Sequence, residues 1–224
     1  MTFCVPCRQG VRKVNNVNDL YTPVELHPDL AVFVSDEGGL PVLKHPLVFS
    51  VPYIPQLNNL LNLQLKQKKE AIKKSLENKN FSTYIWMHER PYRLQAFLNI
   101  QSMMDETDYS KLLKDIWTDS ENIWQEMNAW LKAFKYKCFN INHFMSAKDI
   151  KFFDSLPDQI NIYRGCSSKN KNGLSWTLDH KKAVWFASRF GGDIILEKTV
   201  NKKDVLAYLS CRNEAEIILK KRPK

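Results

Sequence analysis

The fold of this chain is decided by four short runs in its last third: INIYRG at 160–165, LSWT at 174–177, AVWFASRF at 183–190 and EAEIIL at 214–219. The run at 183–190 has apolar residues at helical spacing, and the other three have the short, β-rich pattern of strands. Two more β-rich runs, 193–200 and 204–209, lie between the helix and the last strand. The predicted order is strand, strand, helix and three strands.

The middle of the chain, residues 81–156, is predicted to be mostly helical. Aromatic residues recur there at helical spacing, and Trp117, Trp124 and Trp130 belong to one apolar stripe. A cap at residues 118–120 predicts a helix running to about residue 136. Core packing explains the tryptophans better than a ligand cage does, because the stripe is continuous. A helical segment followed by a strand-rich one predicts the α+β class.

The N-terminal part, residues 1–80, is predicted to be loop and short strands followed by a basic helix. Prolines interrupt it, strands are expected at Leu30–Val34 and Leu47–Val51, and Gly38 with Gly39 predicts a turn. A helix is expected from about 57 to 79, and its lysines favour a solvated face over a nucleic-acid surface. A boundary near 80 gives two domains, 1–80 and 81–224, the second helical over 81–156 and strand-rich over 157–224.

Bulk properties set further expectations. The start of the chain has no charged leader and no long apolar run, so we expect a cytoplasmic protein without a membrane span. Five cysteines at irregular spacing argue against a disulfide framework. Cys4 and Cys7 have the spacing of half a zinc site, but no second pair follows, so no metal is expected.

The positive charge of the chain is concentrated near the four runs. The net charge is +9, and from Leu131 to the end 19 lysines and arginines stand against 9 aspartates and glutamates. Such an excess suits a dinucleotide or an acidic partner, and it permits nucleic-acid contact. A solvated lysine-rich surface explains most of these residues equally well.

An arginine and two hydroxyl residues stand at the edges of the first two strand-like runs. Arg164 can bind a phosphate through two parallel hydrogen bonds, and Gly165 lets backbone approach a flat ligand. Ser175 and Thr177 are two residues apart on one predicted strand, so their hydroxyls can position a ribose or brace a carboxylate. Cross-strand pairing of hydroxyl residues is the plainer explanation for the second pair.

Two carboxylates precede the last apolar run. Glu214 and Glu216 are two apart, so on a strand they would share one face. One carboxylate can stabilise a sugar cation while the other accepts a proton from an attacking nucleophile. Taken alone, the pair is more typical of an exposed strand face.

In this order, the arginine, Ser-x-Thr and Glu-x-Glu motifs resemble those of the Arg–Ser–Glu, cholera-toxin-like ADP-ribosyltransferases. The stretch 163–219 is most similar to transferase-like proteins of bacteriophages and prophages, some of which are anti-CRISPR or host-modifying enzymes. The resemblance implies two small sheets around an NAD cleft. Trp176 departs from the family pattern, because a small polar residue is usual at the centre of that motif.

The resemblance implies a role for each matching residue. Arg164 would bind the nicotinamide phosphate and ribose, Ser175 and Thr177 would support the cleft, and Glu216 would be catalytic. Glu214 matches the glutamate that is tied to arginine-directed transfer. The remaining cofactor-binding candidates are Gly165, at the nicotinamide carboxamide, and Phe186 and Phe190, whose rings can stack on nicotinamide, although core packing explains both phenylalanines better.

Three functions follow, of which the first two are enzymatic and the third is not. The first is transfer of ADP-ribose from NAD to a host protein side chain, with arginine weakly favoured. The second keeps the cleft and changes the acceptor to water or to nucleic acid. The third is a non-catalytic binding protein on a transferase scaffold, which would not bind NAD.

Overall fold

The chain divides into two compact units, one ending at Glu89 and the other beginning at Arg90. The computed structural model describes residues 23–189, 192 and 194–223. Each unit combines helices with antiparallel strands, so the chain is of the α+β class, as predicted. Within the described residues, no helix combines the length and the apolar composition that crossing a bilayer requires.

The first unit is a three-stranded sheet with a long helix. Its elements are α1 (Pro28–Ala31), β1 (Val34–Asp36), β2 (Pro41–His45), β3 (Val48–Ser50), α2 (Asn58–Glu77) and α3 (Phe81–Trp86). The sheet has the order β1-β2-β3. Leu43 and Val48 of the sheet share a buried core with Leu61 and Leu65 of α2. One apolar face of the sheet therefore packs on one apolar stripe of the helix.

Two predictions for this unit differ in outcome. Leu30–Val34 was expected to be a strand, but Leu30 belongs to α1 and the strand begins only at Val34. Pro28 at the start of the turn and the His27 ring, which accepts from the Asp29 N–H, favour the helical turn. The predicted turn at Gly38 and Gly39 is confirmed, with φ of 69° and 85°.

Lysines of α2 are paired with acidic residues of the same unit. Lys68 Nζ lies 2.8 Å from Glu89 Oε1, and Lys69 is bonded to Asp29. Their charge is therefore partly neutralised within the unit, as on a solvated helix face.

The second unit begins with helices: α4 (Arg93–Ile100), α5 (Glu106–Asp119), α6 (Met127–Ala133), α7 (Ile141–Phe144) and α8 (Ala147–Ser155). The helix expected to follow a cap at 118–120 and to run to about 136 is shorter: α6 spans Met127–Ala133, and Ser120 ends α5 instead of starting a new helix. Its backbone is extended, and its hydroxyl donates back to the Ile116 carbonyl. Trp117 and Trp130 thus lie on different helices, with their rings edge to face at 5.0 Å.

The strand-rich part follows the predicted order. It consists of β4 (Gln159–Cys166), β5 (Ser175–Thr177), α9 (His180–Arg189), β6 (Ile194–Asn201), β7 (Val205–Leu209) and β8 (Glu216–Leu219). The strands form one antiparallel sheet in the order β6-β4-β5-β8-β7. The arginine, serine and glutamate motifs therefore lie on three neighbouring strands.

The sheet is weakly joined between β4 and β5. β4 pairs with β6 along its whole length, from Gln159 to Cys166. Within the described part of the chain, β4 meets β5 only where Tyr163 lies opposite Thr177. The pairing of β4 with β5 thus does not extend to Arg164, whose guanidinium instead donates to the Ser175 carbonyl of β5.

Candidate functional site

Glu216 is the first residue of β8, and its side chain is only 4% exposed. β8 lies between β5 and β7, and all four of its residues are buried. The strand pairing places Glu216 directly opposite Thr177, while Ser175 lies opposite Ile218 on the same strand pair. A central strand thus carries a carboxylate into the interior and holds its backbone rigidly.

The two oxygens of the Glu216 carboxylate have different surroundings. Oε1 accepts two hydrogen bonds, from the Ser175 hydroxyl at 2.5 Å and from the Trp117 indole N–H at 3.1 Å. Oε2 is buried and has no hydrogen-bond partner among the described residues. A buried polar atom without a partner is rare in folded proteins and is often found where a ligand binds.

Burial raises the pKa of Glu216 above its usual value, because the charged form loses its solvation. The hydrogen bonds from Ser175 and Trp117 and the charge of Arg212 oppose this rise, and the charge of Glu214 adds to it. A positive charge that binds next to this carboxyl group would therefore lower its pKa and favour the ionised form.

Arg164 is joined to the same site through Ser175. Its Nη1 donates to the backbone carbonyl of Ser175, and its Nε and Nη2 donate to the carbonyl of Asn170 at 3.3 and 2.9 Å. Burial lowers the pKa of Arg164, and the charge of Glu216 counteracts this. A guanidinium has five N–H groups, and the described residues accept from three of them.

The two glycines of this region serve packing. A Cβ on Gly173 would lie 2.3 Å from Nη2 of Arg164, so only glycine leaves room for the guanidinium. A Cβ on Gly165 would lie 1.8 Å from the carbonyl oxygen of Ala183 in α9. The close approach that Gly165 permits is therefore that of helix α9. Binding of nicotinamide by its amide stays a prediction.

Thr177 differs from Ser175, although both hydroxyls were expected to brace Glu216. Its Oγ1 donates to the Glu214 carbonyl at 2.7 Å and accepts from the Asp179 N–H at 3.0 Å. Asp179 in turn accepts from the Lys181 N–H at the start of α9. Thr177 thus ties the turn before β8 to the cap of α9, and it is Ser175 that contacts the carboxylate.

Glu214 does not share a strand face with Glu216, so that prediction is wrong. It ends a 3₁₀ turn, and Ala215, with φ of 45°, separates it from the strand. Arg212 and Asn213 also have positive φ, 59° and 55°. A residue other than glycine in the left-handed backbone region costs about 1 kcal/mol of folding free energy. Such strain is concentrated at functional sites.

The carboxylate of Glu214 is mostly buried and is paired with a cation. Its Oε2 lies 3.2 Å from Nη2 of Arg212, which is about half exposed. The site therefore contains two carboxylates in different surroundings. That of Glu216 is in the interior and has one oxygen without a partner among the described residues, and that of Glu214 is closer to the surface and bound to the Arg212 guanidinium.

The predicted aromatic stacking residues are only partly described. Phe186 lies half-buried on α9, with its ring edge to face against Trp185 at 5.0 Å. Phe190 lies outside the described residues, as do Cys4 and Cys7. In the part of the chain that the structure describes, no group of three or more His, Cys, Asp or Glu side chains could hold a metal ion.

Trp117 is a residue of the site that the sequence did not predict. The tryptophan stripe correctly indicated a buried ring, since Trp117 is fully buried. Its bond to a carboxylate 99 residues further along the chain has no local signal.

Comparison with known proteins adds no relative: no protein-family model, no curated protein and no solved structure matches this chain.

Proposed function

We propose that this chain is a mono-ADP-ribosyltransferase, which transfers ADP-ribose from NAD to a side chain of a host protein and releases nicotinamide. The observation that carries the proposal is a series of bonds across three strands. Arg164 donates to Ser175, Ser175 donates to Glu216, and Glu216 keeps one buried oxygen without a partner. These three residues match the three motifs of the resembled family in order.

The proposed reaction needs stabilisation of a cation. The bond between C1 of the ribose and the nicotinamide nitrogen breaks, and its electron pair stays with nicotinamide, which leaves as a neutral molecule. The acceptor then forms a bond to C1, and its proton passes to a carboxylate or to water. Glu216 would stabilise the positive charge at C1, and its Oε2 would accept from the ribose 2′-OH.

The environment of Glu216 supports this role. A carboxylate in a buried site interacts with nearby charge more strongly than one in water. The rise in the pKa of Glu216 comes mainly from burial. Because the nicotinamide ring of NAD is cationic, its binding would favour the ionised form, which the reaction needs.

Arg164 would hold the phosphate end of the cofactor. Its guanidinium is fixed by the carbonyls of Asn170 and Ser175, and the two N–H groups that have no acceptor among the described residues would bind phosphate oxygens. The second unit has one five-stranded sheet where the resemblance implies two small ones, and the proposed NAD site lies beside its weakest junction, between β4 and β5.

Glu214 supports an arginine acceptor. It already holds one guanidinium, that of Arg212, at 3.2 Å. A carboxylate in this position can hold the guanidinium of an acceptor in the same way, next to the proposed cation.

Labelled NAD and a bacterial lysate test the proposal. We expect wild type to label protein bands, Glu216→Gln to lose labelling, and Glu197→Gln to keep it. Glu197 is an exposed glutamate on β6, so it controls for the loss of one carboxylate. The absence of labelling by wild type, or equal labelling by Glu216→Gln, would overturn the proposal.

Two further readouts separate the other functions. Free ADP-ribose without labelled macromolecules would indicate hydrolysis, and label that a nuclease releases would indicate a nucleic-acid acceptor. A thermal shift with NAD is expected for any enzyme that uses NAD at this site, and its absence would favour a non-catalytic binding protein.

A further inference from the structure

Trp117 connects the helical part of the second unit to the site. It lies near the end of α5, its ring is fully buried, and its Nε1 donates to Glu216 Oε1 at 3.1 Å. Core packing accounts for the burial of the ring but not for the direction of its one polar atom. A phenylalanine would fill most of the same space without the N–H group.

The aromatic neighbours of Trp117 fix the direction of that N–H group. Trp130 packs edge to face against the indole at 5.0 Å, and Phe134 packs at 5.4 Å. Close-packed rings of this kind keep one orientation, because rotation would require several neighbours to move together. The N–H group is therefore a fixed donor, whereas the hydroxyl of Ser175 can rotate.

The chemistry of the two donors on Oε1 differs. An indole N–H can only donate, while a hydroxyl can donate or accept. Two donors on Oε1 make it the accepting oxygen, so the proton of the neutral carboxyl group lies on Oε2. Ionisation of Glu216 thus releases a proton from the oxygen that has no protein partner among the described residues.

We propose that Trp117 is a positioning residue, whose indole N–H fixes the carboxyl group of Glu216 and leaves Oε2 as the oxygen that binds a ligand. The role in catalysis rests on the proposed transferase function, but the effect on the carboxyl group does not. Removal of a donor to the ionised form disfavours that form. Loss of the indole N–H therefore raises the pKa of Glu216 further, in addition to the effect of burial.

The test compares Trp117→Phe with Trp130→Phe. Both variants remove an indole from the same cluster, so both disturb packing, but only Trp117→Phe removes the donor to Glu216. The side-chain carboxyl carbon of ¹³C-labelled Glu216 is titrated by NMR in each. We expect the titration of Glu216 to move to higher pH in Trp117→Phe and to stay at the wild-type position in Trp130→Phe.

A second variant covers the case in which Trp117→Phe does not fold. Benzothienylalanine at position 117 has a sulfur atom in place of the indole N–H and almost the same shape. We expect it to move the Glu216 titration upward while the melting temperature remains close to that of wild type. An unchanged titration in a folded benzothienylalanine variant would overturn the positioning role.

Kinetics separate this inference from the proposed function. With NAD as substrate, we expect kcat for nicotinamide release to fall about tenfold or more in Trp117→Phe, with its acid limb moved to higher pH and KM changed less. If the titration moves and no protein form cleaves NAD, the proposed function fails and the positioning of Glu216 stands. If wild type cleaves NAD and the titration does not move, the reverse holds.

Discussion

The hydroxyl of Ser175 lies 2.5 Å from Oε1 of Glu216, and this bond joins two neighbouring strands of the sheet at a carboxylate that is only 4% exposed. The backbone carbonyl of the same serine accepts from Arg164. Ser175 thus links the arginine and the glutamate, through its backbone carbonyl on one side and its hydroxyl on the other.

Ser175→Ala is expected to lower the free energy of unfolding by about 1.5–3 kcal/mol at pH 8, because a hydrogen bond to a buried carboxylate is lost. Urea unfolding measures this. Ser188→Ala on α9 is the matched control, because Ser188 is exposed and its hydroxyl donates only to the local Trp185 carbonyl. The control should change stability by less than about 0.5 kcal/mol. Equal effects of the two variants would contradict the link.

Glu216→Gln should change how stability depends on pH. Because burial raises the folded-state pKa of Glu216, the unfolded chain releases this proton first as pH rises above about 4.5. Between a pH of about 4.5 and the raised pKa, the free energy of unfolding of wild type therefore falls as pH rises. The fall is about 1.4 kcal/mol for each pH unit in which only the folded state holds the proton. The glutamine variant has no such loss.

Urea unfolding of both proteins from pH 4 to pH 8 tests this. The stability of Glu216→Gln minus that of wild type should increase with pH, whatever its sign at pH 4. A difference that stays constant across the range would mean that the pKa of Glu216 is not raised in the folded protein.

Gly165→Ala is expected to lower the free energy of unfolding by at least about 3 kcal/mol, because the added methyl group collides with the backbone of α9. Gly173→Ala should cost less, since its methyl group meets the movable end of the Arg164 side chain. It should instead weaken NAD binding by displacing the guanidinium. Calorimetry of unfolding and of NAD binding distinguishes the two. A stable Gly165→Ala protein would contradict the packing described for α9.

Arg212→Ala should free the carboxylate of Glu214. If this carboxylate holds the acceptor, Arg212 competes for it, and its removal should lower the KM for agmatine, a small guanidinium acceptor, several-fold. Arg222→Ala removes the same charge from an exposed arginine that bonds to Asn128, so it serves as the control. Equal KM values for the two variants would argue against an acceptor role for Glu214.

The succession of strands and helix along the chain of the second unit was predictable from sequence. The runs that contain Arg164, Ser175 and Glu216 are short, β-rich and separated by one amphipathic helix, which is how antiparallel strands beside a helix are encoded. Which strands are neighbours was not encoded locally, because pairing of β5 with β8 depends on contacts across about forty residues. The resemblance to a known family, and not periodicity, linked the three motifs.

The features that sequence did not predict have physical reasons. Glu214 was expected on the last strand because Arg212, Asn213 and Ala215 include no glycine to signal left-handed backbone. Trp117 reads as a core residue because a hydrogen bond to a distant carboxylate leaves the helical spacing unchanged. In the first case the tertiary structure imposes an unfavourable backbone conformation, and in the second it creates a long-range hydrogen bond. Local propensity predicts neither.

The proposed function requires Glu216 for the cleavage of NAD, supported by Ser175 and Arg164. Its most direct test is the rate of nicotinamide release from NAD at pH 8 by wild type and Glu216→Gln, measured side by side on folded protein. We expect release by wild type and a rate at least about a hundredfold lower for the variant, since a buried carboxylate that stabilises the transition state contributes several kcal/mol. No release by wild type in the presence of acceptor, or equal rates for the two proteins, would contradict the claim.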